Sequence, residues 1–156
     1  EAIVEMFRRA ATPRLRAIMV SHITSQFGIR MPIEPLIALA REHGALSLID
    51  GAQAAGQIPV DLHALGCDAY VASPHKWLLA PKGTGLLYVR AGVQERFWTT
   101  LASYQWDHPE HGAFRFMQYG TGSTAIIDGL IAQGVKVRQL RALITSVTTK
   151  GEPVKE

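Results

Sequence analysis

Residues 69–90 read AYVASPHKWLLAPKGTGLLYVR. Two short apolar runs, Ala69–Ala72 and Leu86–Val89, have the composition of buried strands. The first stops abruptly at Ser73-Pro74-His75-Lys76, and Trp77 follows the lysine. An amine in so apolar a setting loses hydration, which favours its neutral, nucleophilic form. A neutral lysine amine can form a Schiff base with a carbonyl. On its own, Lys76 is equally consistent with a loop side chain that points into solvent.

A second stretch changes that balance. Residues 45–49, Ala-Leu-Ser-Leu-Ile, form another apolar run, and it ends in Asp50-Gly51-Ala52-Gln53. Asp50 stands 26 positions before Lys76. That spacing leaves room for a crossover and one further strand, so both groups fall at the carboxyl ends of parallel strands, where open α/β sheets bind ligands. A carboxylate and a lysine presented together suit pyridoxal phosphate, whose aldehyde takes the amine and whose ring nitrogen wants an acidic partner.

The segments SHITSQFG (21–28), LIALAREHGALSLIDGAQAAG (36–56), the run from Leu65 to Arg90 and QYGTGS (118–123) resemble the class V aminotransferases, a branch of the fold type I pyridoxal-phosphate enzymes. HKWLLAPKGTG brings the resemblance closest to the isopenicillin-N-epimerase-like members, with cysteine desulfurases as more distant relatives. The resemblance implies an α/β chain of the aspartate-aminotransferase-like fold, a large domain with a mostly parallel sheet and helices on both faces. It implies pyridoxal 5'-phosphate as cofactor and a Schiff base on Lys76, which then shuttles the Cα proton of an amino-acid substrate. Asp50 is expected to hold the pyridine nitrogen and Gln53 the ring oxygen. Ser73 and His75 are expected at the phosphate. Thr121 is expected to reach the phosphate of the neighbouring subunit in a homodimer. Ser25 lies in a loop expected to contact substrate and cofactor, where desulfurase relatives carry asparagine. Gln118 departs from the acidic residue that many relatives carry there. Epimerisation, transamination, desulfuration and lyase chemistry share this apparatus, and a binding or dimerisation module without catalysis is the rival from another class.

Composition sets outer limits. Hydrophobic residues make up 47% and charged residues 19% of 156, a globular balance with enough chain for a core. The net charge of +3 is spread without a basic run, so nucleic acid is not an expected partner. No apolar stretch approaches the roughly 20 residues that span a bilayer. The one cysteine, Cys67, excludes an internal disulfide framework, reads as a small core residue and makes a reducing cytoplasm the default. The chain opens at Glu1 inside a helical pattern, and the resembled family is much longer. We therefore expect an incomplete subunit: residues 1–144 as part of the cofactor-binding large domain, and 145–156 as a frayed tail leading towards an absent C-terminal domain.

The remaining elements follow from periodicity and punctuation. Residues 1–11 read as an amphipathic helix, and Leu15–Val20 as a strand. Ile33, Leu36, Ile37 and Ala40 mark one face of a crossover helix that starts at Pro32 and stops at Gly44. Val60–Gly66 reads as a short helix. Pro81–Gly85 reads as a tight turn, not a nucleotide loop, because its lysine precedes the glycines. Trp77 reads as packing, His22 as a strand cap or a residue facing the site, and His43 and His63 as solvated helix residues. Residues 91–112 form a weakly patterned aromatic loop, the kind that serves function or an interface. Within it His108 and His111 give too few ligands for an expected metal site. Ile126–Gly134 reads as a helix.

Overall fold

The computed structural model describes residues 1–117, 120 and 122–132. Among the described residues, four strands form one sheet in the order β1-β2-β3-β4: β1 Ala17–Ser21, β2 Leu46–Asp50, β3 Ala69–Ala72 and β4 Leu86–Val89. β1–β2 and β2–β3 are parallel, and β4 lies antiparallel to β3. The expectation of a mostly parallel sheet holds, with an antiparallel edge. That edge has a direct cause: residues 73–85 turn back without a crossover helix, and a turn of that kind delivers an antiparallel neighbour.

The alternation of side chains in β1 and β2 assigns the two faces. Ile18, Val20, Ile49, Tyr70 and Ala72 point to one side and are buried. Helix α2 (Ile33–Glu42) covers that side with Ile33, Leu36, Ile37, Leu39 and Ala40, the stripe predicted from its spacing. Pro32 occupies the N-cap position, and Gly44 ends the helix with φ 61°, a left-handed turn that glycine adopts without penalty. Helix α1 (Ala2–Ala10) lies outside α2, with Val4 and Phe7 against the core.

The opposite face is covered only in part. Its lower half, Leu46, Leu48, Ala69 and Val89, packs under Val93, Phe97, Ala113 and Phe116. Those residues come from two 3₁₀ segments, Ala91–Arg96 and Pro109–Met117, the second kinked at Gly112. The rest is open: Met19, on edge strand β1, is 71% exposed, and Val71 and Leu87 at the upper end are 41% and 47% exposed. Among the described residues, α2 lies on one face, and the 3₁₀ segments together with a helix at 124–132 stand on the side of the other. Helix α3 (Leu62–Leu65) is capped by Asp61, whose carboxylate accepts the His63 and Ala64 N–H groups, and it ends at left-handed Gly66. Helix α4 (Thr124–Ala132) places Leu130 against Ala80.

Asp68 locks the lower end of the sheet. Its Oδ2 accepts from the Ser47 N–H and hydroxyl, and its Oδ1 accepts from Arg90 Nε and a terminal N at 3.1 and 2.6 Å. Burial opposes its ionisation, yet the Ser47 and Arg90 donors outweigh burial and hold the carboxyl below its usual range. No described helix is long and apolar enough to cross a membrane. Gln118, Thr121 and the segment 145–156 lie outside the described residues.

Candidate active site

Parallel strands that share a register end together, and their polar tips gather along one edge. Ser21, Asp50, Val71 and Leu87 are aligned across all four strands and form a single row on the open face. The backbone at Asp50 is clamped from both sides. Its carbonyl accepts the His22 N–H at 2.8 Å, and the next N–H, of Gly51, donates to the Val71 carbonyl at 2.7 Å. The carboxylate accepts the Ala52 N–H at 2.9 Å through Oδ1. Oδ2 takes no hydrogen bond from the described residues, and the side chain is half-buried.

Lys76 follows the end of β3 in a turn closed by its own N–H donating to the Ser73 carbonyl. Lys76 and Ser73 are half-buried, Pro74 is buried, and His75 is exposed. The loop after Asp50 and the turn around Lys76 meet. Trp77 Nε1–H donates to Gln53 Oε1 at 3.0 Å, across 24 positions of sequence. That bond leaves the Gln53 amide N–H groups uncommitted. The same two loops touch at Gly56, where φ is +87° and a Cβ would press on Leu78 and the Trp77 backbone. Trp77, expected only to pack, is 50% exposed and acts as the tie. Its indole N–H is a donor with one natural use when an amide lies opposite, a signal that the sequence reading passed over.

A pair beneath Asp50 was also missed. His22 is buried in the core, not at a strand cap and not in the open row. Its Nδ1 lies 3.0 Å from the Tyr70 hydroxyl, and its Nε2 has no partner among the described residues. Burial, then Arg30, pushes the His22 pKa down, and burial pushes the Tyr70 phenol up to about 12. Both rings are therefore neutral at physiological pH. Tyr70 fills the space that a Cβ at position 51 would need, which explains glycine immediately after the acid.

Ser25 stands elsewhere in the arrangement. It is exposed at the tip of the loop 22–31, which is closed by a bridge between Ile23 and Arg30 and by Thr24 Oγ1 accepting the Ile29 N–H. The loop leaves from the same sheet end as Asp50. An apolar cavity of about 540 Å³ opens beside Val71 and Leu87 and reaches Phe116, Ile127 and Leu130; neither Asp50 nor Lys76 lines it. His108, Glu110 and His111 draw together, so the structure supplies a third side chain where the sequence offered two. The two imidazoles are stacked, with planes 18° apart, and His108 is paired with Glu110 at 2.6 Å.

Comparison with known proteins agrees with this architecture. The profile of the family described as aminotransferase class-V matches residues 2–116. The isopenicillin N epimerase of Streptomyces clavuligerus is 35% identical over 127 residues, covering 81% of this chain and 32% of that protein. A cysteine desulfurase of Klebsiella pneumoniae subsp. pneumoniae is 49% identical over 79 residues, 51% of this chain and 19% of that protein. A structure of a C-DES variant with glycine covalently linked to its PLP cofactor superposes with a TM-score of 0.75 at 23% identity, over 83% of this chain and 37% of that one. The chain thus spans about a third of such relatives or less.

The fold is that of the large domain of the pyridoxal-phosphate enzymes of fold type I. The chain belongs to the class V aminotransferase family. Pyridoxal 5'-phosphate is the cofactor of that family, and the residues present fit it. A carboxylate oxygen of Asp50 and the amide N–H groups of Gln53 are uncommitted, and a lysine with a hydroxyl and an imidazole beside it lies across the tied loops.

Proposed function

We propose that this chain is the cofactor-holding portion of an enzyme that works at the Cα of an amino acid, of the epimerase or aminotransferase type. The observation that carries the reading is the Trp77–Gln53 hydrogen bond, which joins the Asp50 loop to the Lys76 turn at one end of the sheet. Lys76 would hold the cofactor through Nζ and, once released, take or return the Cα proton there. Asp50 would accept a hydrogen bond from the ring nitrogen and keep it protonated. Gln53 would donate to the ring oxygen. Ser73 and His75 would donate to the phosphate, as a hydroxyl and an imidazole do well. Bound pyridoxal phosphate supplies the electron sink for charge that develops at Cα. Thr121 is assigned to the neighbouring site of a homodimer, and Ser25 to the rim of the substrate cleft. We assign the protein to the cytoplasm, in keeping with its one buried thiol.

The test is spectroscopic. Adding pyridoxal phosphate should produce a visible absorption band that borohydride traps on Lys76, and Lys76→Ala should lose it. Absence of the band from the parent protein would sink the reading and leave a binding or dimerisation module. Desulfuration is the second reading, favoured by the 49% identical stretch shared with a cysteine desulfurase. A panel of single amino acids, followed for racemisation, amine transfer and sulfide release, separates the two.

A further inference from the structure

The lower end of the sheet, opposite the Asp50 row, holds a second polar cluster. A cavity of about 190 Å³ is lined by three arginines from three different elements: Arg41 in the last turn of α2, Arg90 just after β4, and Arg96 at the end of the first 3₁₀ segment. Each guanidinium is anchored by part of its fork. Arg41 donates to the Gly66 carbonyl at 3.1 Å, Arg96 to the Gly44 carbonyl at 3.4 Å, and Arg90 to Asp68. A guanidinium carries five N–H donors, so each anchored group keeps donors to spare. Asp68 is the one carboxylate among the described lining residues, and Arg90 and Ser47 already engage both its oxygens. The lining therefore carries a surplus of positive charge.

An excess of positive charge along one cleft attracts anions and raises their local concentration. Planar, pre-anchored forks match the oxygens of a tetrahedral oxyanion. The size agrees: a cavity of about 190 Å³ has room for a phosphoryl group. We infer that this cavity is a binding site for a phosphate-class oxyanion, either free phosphate or the phosphoryl group of a small phosphomonoester. The site stands apart from Ser73 and His75, at the other end of β3, and does not depend on how the cofactor is held.

Titration of the ¹⁵N-labelled protein with inorganic phosphate, against sodium chloride at equal ionic strength, tests it. Saturable shifts are expected at the Nε–H signals of Arg41, Arg90 and Arg96 with phosphate only. The double variant Arg41→Gln/Arg96→Gln should weaken binding at least about tenfold. Both arginines are exposed, so its spectrum in chloride should stay dispersed. Arg96→Lys, which keeps the charge and loses the fork, should weaken binding less. Ser73→Ala/His75→Ala should leave these shifts unchanged. Glycerol phosphate that shifts the same signals more strongly than phosphate identifies the phosphomonoester as the ligand form; weaker shifts identify the free ion. Equal shifts with chloride, undiminished binding in the double variant, or shifts confined to the Ser73–Lys76 turn would each overturn the assignment.

Discussion

Gly51→Ala tests how the acid of the site is held. A Cβ at position 51 overlaps the Tyr70 ring at Cε1, Cζ and the hydroxyl. Neither party can yield easily. Tyr70 is 4% exposed, and its hydroxyl is engaged by His22. The Asp50–Gly51 backbone is fixed by bonds of 2.8 and 2.7 Å to the strands on either side. Overpacking of this kind costs about 1–3 kcal/mol, and disturbing the His22–Tyr70 bond adds about 1 kcal/mol. The alanine returns about 0.4–1 kcal/mol by restricting the unfolded chain. A net loss of about 1–3 kcal/mol is expected, which lowers the urea midpoint by roughly 1 M for a typical small-domain slope. The cycle with Tyr70→Leu isolates the cause. In that background the ring atoms are gone, and the alanine should cost nothing or stabilise slightly. Equal destabilisation in both backgrounds would refute the contact as the reason for glycine here. Because the overlap pushes on the residue after Asp50, pyridoxal phosphate should also bind more weakly to Gly51→Ala at temperatures where the variant is fully folded.

Three further outcomes follow from individual side chains. Trp77→Phe removes the donor to Gln53 and leaves the fold; cofactor affinity, read by the visible band, should fall roughly 2–10-fold with little change in melting temperature. Stability should decline on acidification in two windows. His22 has a depressed folded pKa, so the unfolded chain takes up a proton that the native core refuses as pH falls below about 6.5. Asp68, also depressed, contributes stability that is present above about pH 4 and lost as pH falls through its folded value. Urea midpoints measured from pH 8 to 3 should lose the upper slope in His22→Gln and the lower slope in Asp68→Asn; unchanged slopes would contradict these assignments. Cys67 is buried, and burial pushes its thiol up to about 11, so an aromatic disulfide reagent should label it only as fast as the protein unfolds.

The parts legible in the sequence were those with a period or a terminator. The stripe Ile33-Leu36-Ile37-Ala40 and the stop at Gly44 fixed α2, and the apolar runs before Asp50 and Ser73 marked β2 and β3 within a residue or two. The beginning of β1 was less sharp: a strand expected from Leu15 starts at Ala17, because its pairing with β2 begins at Ala17 opposite Leu46. The segments 91–96 and 109–117 fold into 3₁₀ turns, which are too short to print a repeat, and the aromatics that marked this region, Phe97, Trp98, Tyr104 and Trp106, fall between them.

The contacts that shape the candidate site were of another kind. Nothing in the local chemistry of Gly51 names Tyr70 as its neighbour; that depends on register, since pairing Asp50 with Val71 sets Gly51 past the tip of β2 on the face where Tyr70 stands. A slip of one position would turn Tyr70 to the open face and Val71 to the core, and would part Gln53 from Trp77. The register in turn rests on α2, whose stripe accepts Ile18, Val20, Ile49 and Tyr70 only in this phase. The apolar stripe readable in residues 33–40 and the unreadable tie between Gln53 and Trp77 are thus one constraint. Core variants of α2 that change side-chain volume, such as Leu36→Ala, should therefore weaken cofactor binding as well as stability, although Leu36 is fully buried in the core and none of the site's hydrogen bonds involves it.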